Sequence, residues 1–136
     1  MLTYRGTVYP WHCDHIGHMN VMWYVGKFDE GTWHLMNAIG ATPAYLRDNQ
    51  RGMAAVEQHI RYLREVMAGS IVSVHTTVRE VHPKRVVFEH VMHDDGTGEI
   101  AARTLLTGVH MDTVLRKSCP MPEAIIEAAT ALIGRE

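Results

Sequence analysis

The side chains of this sequence that are suited to chemistry are concentrated in one segment, residues 11–24, which reads WHCDHIGHMNVMWY. The segment combines one carboxylate, Asp14, with three histidines, one cysteine and one asparagine. A strand-like stretch precedes it and a helix-like stretch follows it, so the backbone must turn sharply between them. An acid beside the start of a buried helix is a common setting for catalysis.

The elements that position this segment follow from periodicity and from residues that break regular structure. Residues 3–9 alternate and favour a strand, which Pro10 ends because proline lacks a backbone donor. Apolar residues then recur at helical spacing over residues 21–39, with Asn20 as the N-cap and Gly40 as the stop. A connector with one short helical turn at residues 43–47 follows. The remaining predicted elements are strands at residues 54–66, 71–81, 85–93 and 99–112, and a short helix at residues 123–133.

This order of elements predicts an α+β fold made of one domain, residues 1–136. Hairpin-connected strands give a curled antiparallel sheet, and the single long helix lies against its concave face. An exposed edge of such a sheet needs protection, so we expect it to pair with another subunit.

Composition excludes several classes of protein. The net charge is −2 and no run of lysine and arginine exceeds two neighbours, so nucleic acid is not an expected partner. No apolar run is long enough to cross a bilayer, and the first ten residues lack the apolar core of a signal peptide. The two cysteines form no CxxC pair, which fits a reducing compartment. We therefore expect a cytoplasmic protein that does not bind membranes.

The order of elements and the motif at residues 11–20, followed by Tyr24, resemble the hotdog-fold acyl-CoA thioesterases of the 4-hydroxybenzoyl-CoA thioesterase type. The family pattern is an aromatic residue, a loop acid, Gly-His-aliphatic-Asn, and a tyrosine four residues later. Two positions depart from it: Val21 stands where a second asparagine is frequent, and His12 stands where many relatives carry another acid.

The resemblance covers nearly the whole chain and implies a hotdog fold with acyl-CoA thioesterase activity. The implied substrate is a small aromatic, short-chain or betaine-like acyl-CoA, which is hydrolysed to the free acid and CoA. No cofactor is implied, because coenzyme A arrives as part of the substrate. The implied assembly is a homodimer or a homotetramer.

The same resemblance assigns roles within the motif. Asp14 acts as a nucleophile or as a general base on water. The backbone amide of Val21, at the start of the helix, polarises the thioester carbonyl, and its side chain need not be polar. His18 and Asn20 are expected to hold the loop, and Gly17 permits a backbone conformation or a close approach that a Cβ would forbid.

Substrate contacts are expected beyond the loop. Trp11, Trp23 and Tyr24 would form aromatic walls for an aryl group or, through cation–π attraction, for a quaternary ammonium group. Gln58 and His59 lie in the strand expected to face the central helix across the cleft. Core packing for the aromatic residues and solvation for the polar ones are the plain alternatives.

Other interpretations of the motif remain open. Asp14 is equally suited to cap a turn at Ile16 or Gly17. The histidines at positions 12, 15 and 18 could bind a metal, but this spacing matches no closed zinc site, so no metal is predicted. Cys13 as a nucleophile lacks an arranged base. A hotdog dehydratase or hydratase, a non-catalytic acyl-CoA-binding module and a metal-binding protein are the rival functions.

Overall fold

One long helix lies in the concave face of a curled antiparallel sheet, as predicted. A computed structural model describes all residues from Met1 to Glu136. Its elements are β1 (Leu2–Thr7), α1 (Val21–Ala38), α2 (Pro43–Asp48), β2 (Arg51–Tyr62), β3 (Ile71–Val81), β4 (Arg85–Asp94), β5 (Ile100–Asp112), β6 (Lys117–Ser118) and α3 (Glu123–Thr130). The strand order is β1-β3-β4-β5-β2, every pairing is antiparallel, and β6 pairs with β5.

The predicted bounds agree best with the observed ones for β3 and α1. Strand β3 begins and ends where predicted, and α1 ends one residue earlier than predicted. Strand β2 is displaced towards the N-terminus, because the amides of Leu63 and Arg64 both donate to the carbonyl of Ala101 and the chain leaves the ladder there. The sequence patterns did not predict the 3₁₀ turn at Pro10–His12 or the short strand β6.

A buried polar layer fixes α1 against the sheet. His90 is fully buried, with Nδ1 2.6 Å from Thr76 Oγ1 and Nε2 2.9 Å from Thr32 Oγ1 on α1. Thr32 donates its own proton to the carbonyl of Phe28, so Nε2 is the protonated nitrogen and Nδ1 accepts from Thr76. Burial lowers the pKa of His90 to about 3, so the imidazole is neutral at pH 7.

This layer separates two apolar clusters and determines how closely the helix approaches. One cluster surrounds Phe88 near the end of α1, and the other surrounds Phe28 near its start. Gly31 faces the layer: a Cβ there would lie 3.0 Å from Thr3 Oγ1 and 3.4 Å from His90 Cε1. The missing side chain therefore lets the helix axis approach the sheet closely.

Strand β2 is an edge of the sheet and is open along one side. It pairs only with β5, rather than with β3, its successor in the chain, so only β3, β4 and β5 form consecutive hairpins. The side chain of Val56 on β2 is 61% exposed. On the neighbouring flank of α1, Val25 is 38% and Trp33 43% exposed. No helix has the length and apolarity to span a membrane.

Candidate active site

The loop between β1 and α1 folds back on itself. Cys13 and Met19 form an isolated antiparallel bridge, and the amide of Asp14 donates to the carbonyl of His18 at 3.2 Å. Gly17 sits at the tip with a φ of +103°, and apart from its own chain neighbours no residue comes within 4 Å of the position its Cβ would take. Of the two predicted roles of Gly17, the structure supports the left-handed backbone conformation and not a close approach.

Asn20 links the loop acid to the start of the helix. Its Oδ1 accepts a hydrogen bond from the amide of Met22 at 3.0 Å, which is the predicted N-cap. Its Nδ2 donates to Oδ2 of Asp14 at 2.9 Å. One amide side chain therefore holds both the carboxylate and the first turn of α1.

The first helical amide, that of Val21, has no acceptor within the chain. Neighbouring amides are occupied: that of Met22 by the cap, and that of Trp23 by the carbonyl of Asn20 at 3.0 Å. A free amide at a helix N-terminus, where the helix dipole is positive, is a suitable donor to a developing oxyanion.

The carboxylate of Asp14 is held ionised. The side-chain amide of Asn20 and the backbone amide of Ile16 each donate to one of its oxygens, and these two bonds lower the pKa of Asp14 below its usual value. The bond from Ile16 is the turn cap that sequence considered as the alternative role. A carboxylate with a lowered pKa is a weak base at neutral pH but remains a negatively charged nucleophile.

A cavity of about 210 Å³ opens beside the helix start. Val21, His18 and Tyr62 are among its lining residues, and the segment after β2 forms one wall. The imidazole of His18 does not contact Asp14; its Nε2 lies 3.6 Å from a carboxylate oxygen of Glu65. His18 therefore holds the acid through its backbone carbonyl, and its side chain forms part of the cavity wall.

The three predicted aromatic walls do not share one pocket. Trp11 is 67% exposed and stacks on Tyr9 with ring centroids 4.5 Å apart, whereas Trp23 packs on His12 at 4.3 Å. Tyr24 is buried, and its hydroxyl donates to the carbonyl of Arg64 at 2.9 Å. Burial raises the pKa of Tyr24 to about 12. Of Trp11, Trp23 and Tyr24, only Tyr24 lines the cavity, so these three residues do not form one aromatic box within the chain.

Strand alternation separates Gln58 from His59. Ile60 and Tyr62 face α1, because Ile60 packs against the core cluster around Phe28 and Tyr62 packs edge-on against Tyr24. Gln58 shares their face. His59 points to the other face, where Nε2 lies 2.9 Å from a carboxylate oxygen of Glu57. The expected substrate contacts of Gln58 and His59 stay predictions, and the two side chains lie on opposite faces of β2.

Sequence patterns missed the contribution of residues 63–66, which were assigned to the end of a strand. The carbonyl of Val66 accepts from the amide of Met19 at 2.7 Å, and the carbonyl of Arg64 accepts from Tyr24. These backbone acceptors hold the active loop and the helix. No sequence signal could have revealed them, because backbone groups are common to all residues.

No group of three or more histidine, cysteine, aspartate or glutamate side chains is placed to hold a metal ion. His12 instead uses Nδ1 to accept from the amide of Tyr9 at 3.0 Å, and the pKa of His12 is lowered by burial. His12 and His18 therefore have separate contacts rather than a common centre.

The comparisons with known proteins agree on one family. A model of the "Thioesterase-like superfamily" matches residues 8–129. An Agrobacterium fabrum protein described as an L-carnitine dehydrogenase/betainyl-CoA thioesterase is 32% identical over an alignment of 128 residues, which covers 90% of this chain and 25% of that protein. The chain thus spans about a quarter of the length of the curated relatives it matches.

Solved structures share the fold. A Staphylococcus aureus protein solved in complex with CoA superimposes with a TM-score of 0.91 at 19% identity, covering 97% of this chain and 84% of that one. A 1,4-dihydroxy-2-naphthoyl-CoA thioesterase from Synechocystis gives a TM-score of 0.84 at 17% identity over 96% of both chains. The predicted hotdog fold is therefore confirmed.

The double role of Asn20 can be tested without any substrate. In Asn20→Asp, the new carboxylate still caps the helix but repels Asp14, so the pKa of Asp14 should rise. In Asn20→Ala, both contacts are lost, and the free energy of unfolding should fall by about 1 kcal/mol. NMR titration of the Asp14 carboxyl carbon and urea unfolding measure the two effects. An unchanged titration of Asp14 in Asn20→Asp would show that the two side chains are not coupled.

Proposed function

The chain belongs to the thioesterase-like superfamily, and from that premise we propose that it hydrolyses acyl-CoA thioesters at the N-terminus of α1. One observation carries the proposal. The side chain of Asn20 donates a hydrogen bond to the ionised carboxylate of Asp14, and the next residue in the chain, Val21, has a free backbone amide. Attack on a thioester needs a nucleophile or base and a donor for the oxyanion, and these two groups meet those needs.

Asp14 is proposed to act as the nucleophile. One carboxylate oxygen attacks the thioester carbon, the C–S bond breaks, and CoA leaves as a thiolate that takes a proton from solvent. The resulting mixed anhydride is hydrolysed by water, which releases the free acid and restores the Asp14 carboxylate. The hydrogen bonds from Asn20 and Ile16 lower the pKa of Asp14 and keep it in the charged form that a nucleophile and a general base both need, so detection of an acyl group on Asp14 is what distinguishes the two routes.

The acyl group is proposed to be small and cationic. The curated relatives are named for a betainyl-CoA thioesterase activity, and three such proteins match at 28–33% identity. Aromatic and short-chain acyl groups are the other members of the substrate class to compare. Coenzyme A enters with the substrate, and no separate cofactor takes part in the proposed steps.

The proposed assembly is a homodimer formed along the free edge of β2. This strand has unpaired backbone groups along its outer side, and exposed apolar side chains line both it and the neighbouring flank of α1. Pairing two copies would satisfy the backbone groups, bury this apolar surface and close the cleft beside α1. The two copies could associate further into a homotetramer, and a measurement of the mass in solution distinguishes the two assemblies.

Removing the Asp14 carboxylate should abolish turnover while preserving the loop. In Asp14→Asn, the side-chain oxygen can still accept from the amide of Ile16, so the turn should persist. We expect kcat to fall at least about 100-fold for both Asp14→Asn and Asp14→Ala. The kcat of each variant is measured by thiol release from short aliphatic, aromatic and trimethylammonium acyl-CoAs. Asp48→Asn is the control, because it removes the same charge from an exposed position.

Two results of that assay would count against Asp14. Unchanged turnover in both variants would remove it from the mechanism, and tight binding of acyl-CoA by the wild-type protein without turnover would favour a non-catalytic module. Intact-mass spectrometry after rapid acid quench should detect the acyl group on wild-type protein and not on Asp14→Asn, if the anhydride forms.

The amide of Val21 can be removed without disturbing the helix. Proline is favoured at the first helical position, and the extended backbone of Asn20, with φ −70° and ψ 147°, accommodates a following proline. Val21→Pro should therefore lower kcat by about 100-fold or more, as expected for losing one oxyanion donor. Val21→Ala keeps the N–H and is the matched control. Equal activity of the two variants would place the oxyanion elsewhere.

The assembly is tested by charging the edge. Val56→Lys places a cation on the exposed side of β2 and should convert a dimer into monomers, because pairing would then bury two like charges. Light scattering after size-exclusion chromatography gives the mass directly. Val114→Lys, at an equally exposed valine in the turn after β5, is the control. A dimer that survives Val56→Lys would show that the copies meet on another surface.

A further inference from the structure

The loop between β1 and α1 ends in a short hairpin that is closed by Asp14 and His18. Cys13 and Met19 form the antiparallel bridge next to this pair. The amide of Asp14 donates to the carbonyl of His18 at 3.2 Å, and Gly17 completes the turn with its left-handed backbone. Opposite residues of an antiparallel pair have side chains on the same face, with Cβ atoms about 5 Å apart. The Asp14 carboxylate and the His18 imidazole are therefore neighbours, although they do not touch.

This pair of side chains faces away from the core. Cys13 and Met19 pack in the apolar cluster near the start of α1, so alternation turns Asp14 and His18 to the other face of the hairpin. The side chain of His18 is 26% exposed, and it lines the cavity that also contains Val21. Water therefore reaches the space beside Asp14 and His18, close to the amide that is proposed to bind the oxyanion.

One ring nitrogen of His18 faces a carboxylate and the other is free. Nε2 lies 3.6 Å from a carboxylate oxygen of Glu65, and Nδ1 forms no hydrogen bond with the protein. A carboxylate favours the tautomer that carries the proton on the nitrogen facing it, so Nδ1 is left as the basic nitrogen. An imidazole that is oriented by a carboxylate and lies beside a nucleophile has the arrangement of a general base.

The proposed reaction needs such a base in its second half. Once Asp14 is acylated, its carboxylate no longer accepts a proton, yet the water that attacks the mixed anhydride must lose one. The pKa of Asp14 is lowered mainly by hydrogen bonds from Asn20 and Ile16, and among charged side chains His18 contributes more than His15. His18 is thus the imidazole that is close to Asp14 and also lines the cavity.

We propose that His18 is the general base that hydrolyses the acyl group from Asp14, and that Glu65 positions its imidazole. This proposal rests on the nucleophilic route proposed above. Nδ1 takes a proton from a water molecule while the water oxygen bonds to the acyl carbon, whose oxygen is held by the amide of Val21. The bond between that carbon and the Asp14 oxygen breaks, and its electron pair restores the carboxylate. The free acid leaves, and the imidazolium gives its proton to solvent.

The test separates the two halves of a turnover. Protein is mixed rapidly with an excess of trimethylammonioacetyl-CoA or benzoyl-CoA, and CoA release is followed: acylation gives a burst, and hydrolysis of the anhydride sets the later steady rate. His18→Gln removes the base but keeps the backbone carbonyl that accepts from the Asp14 amide. His15→Gln is the matched control, because His15 is an exposed residue of the same hairpin that acts on Asp14 but does not line the cavity.

We expect His18→Gln to keep a burst of about one CoA per protein and to lower the steady-state kcat by about 100-fold or more. The acyl group should then accumulate on Asp14, which intact-mass spectrometry after acid quench detects. Imidazole added to His18→Ala should restore part of kcat, which a purely structural role would not allow. Glu65→Gln should lower kcat by a smaller factor, and His15→Gln should match the wild-type protein.

Four outcomes would overturn the proposal, and they can be told apart. Wild-type turnover in His18→Gln would exclude His18 as the base. Loss of the burst together with turnover would place the role of His18 before the anhydride forms. Hydrolysis by the wild-type protein without an acylated form of His18→Gln would reject the deacylation step but keep the thioesterase function. Hydrolysis of no ester by the wild-type protein would reject both.

Discussion

The side-chain amide of Asn20 is the interaction on which the arrangement of the site depends. Its oxygen accepts from the helix and its nitrogen donates to Asp14, so one planar group fixes the carboxylate relative to the first turn of α1. An aspartate could supply the cap but has no donor when ionised, and a serine carries donor and acceptor on one short hydroxyl, whereas the asparagine amide separates them across a planar group. The site therefore needs asparagine at this position for geometry as well as for helix capping.

This arrangement is useful only if α1 itself cannot shift. The neutral imidazole of His90 on β4 bonds to Thr76 on β3 and to Thr32 on α1, so sliding the helix would break the buried hydrogen bond that joins it to the sheet. Gly31 brings the helix close enough for these contacts. At the other end, the backbone carbonyls of Arg64 and Val66 hold the helix start and the loop. The start of α1 is thus anchored from two sides.

The sequence predicted the parts of this fold that depend on local patterns. Alternation defined β3, helical spacing and an N-cap defined α1, and the motif located Asp14 and Asn20. It did not predict the pairing of β2 with β5, because strand order depends on contacts between residues distant in sequence. Residue patterns also left Gln58 and His59 as equal candidates for a substrate contact, although strand alternation places neighbouring residues on opposite faces. Trp11, Trp23 and Tyr24 are close in sequence, but their side chains pack against different partners. Nearness in sequence does not place side chains on one face.

The two parts of α1 differ in what they leave open. Its N-terminal turn offers the free amide of Val21, and Asn20 holds the Asp14 carboxylate before it. Farther along, the flank that carries Val25 and Trp33 is exposed beside the open edge of β2. In the proposed homodimer, pairing along β2 would bury this flank together with the strand, so loss of the pairing is expected to expose apolar surface on the helix as well as on the sheet edge.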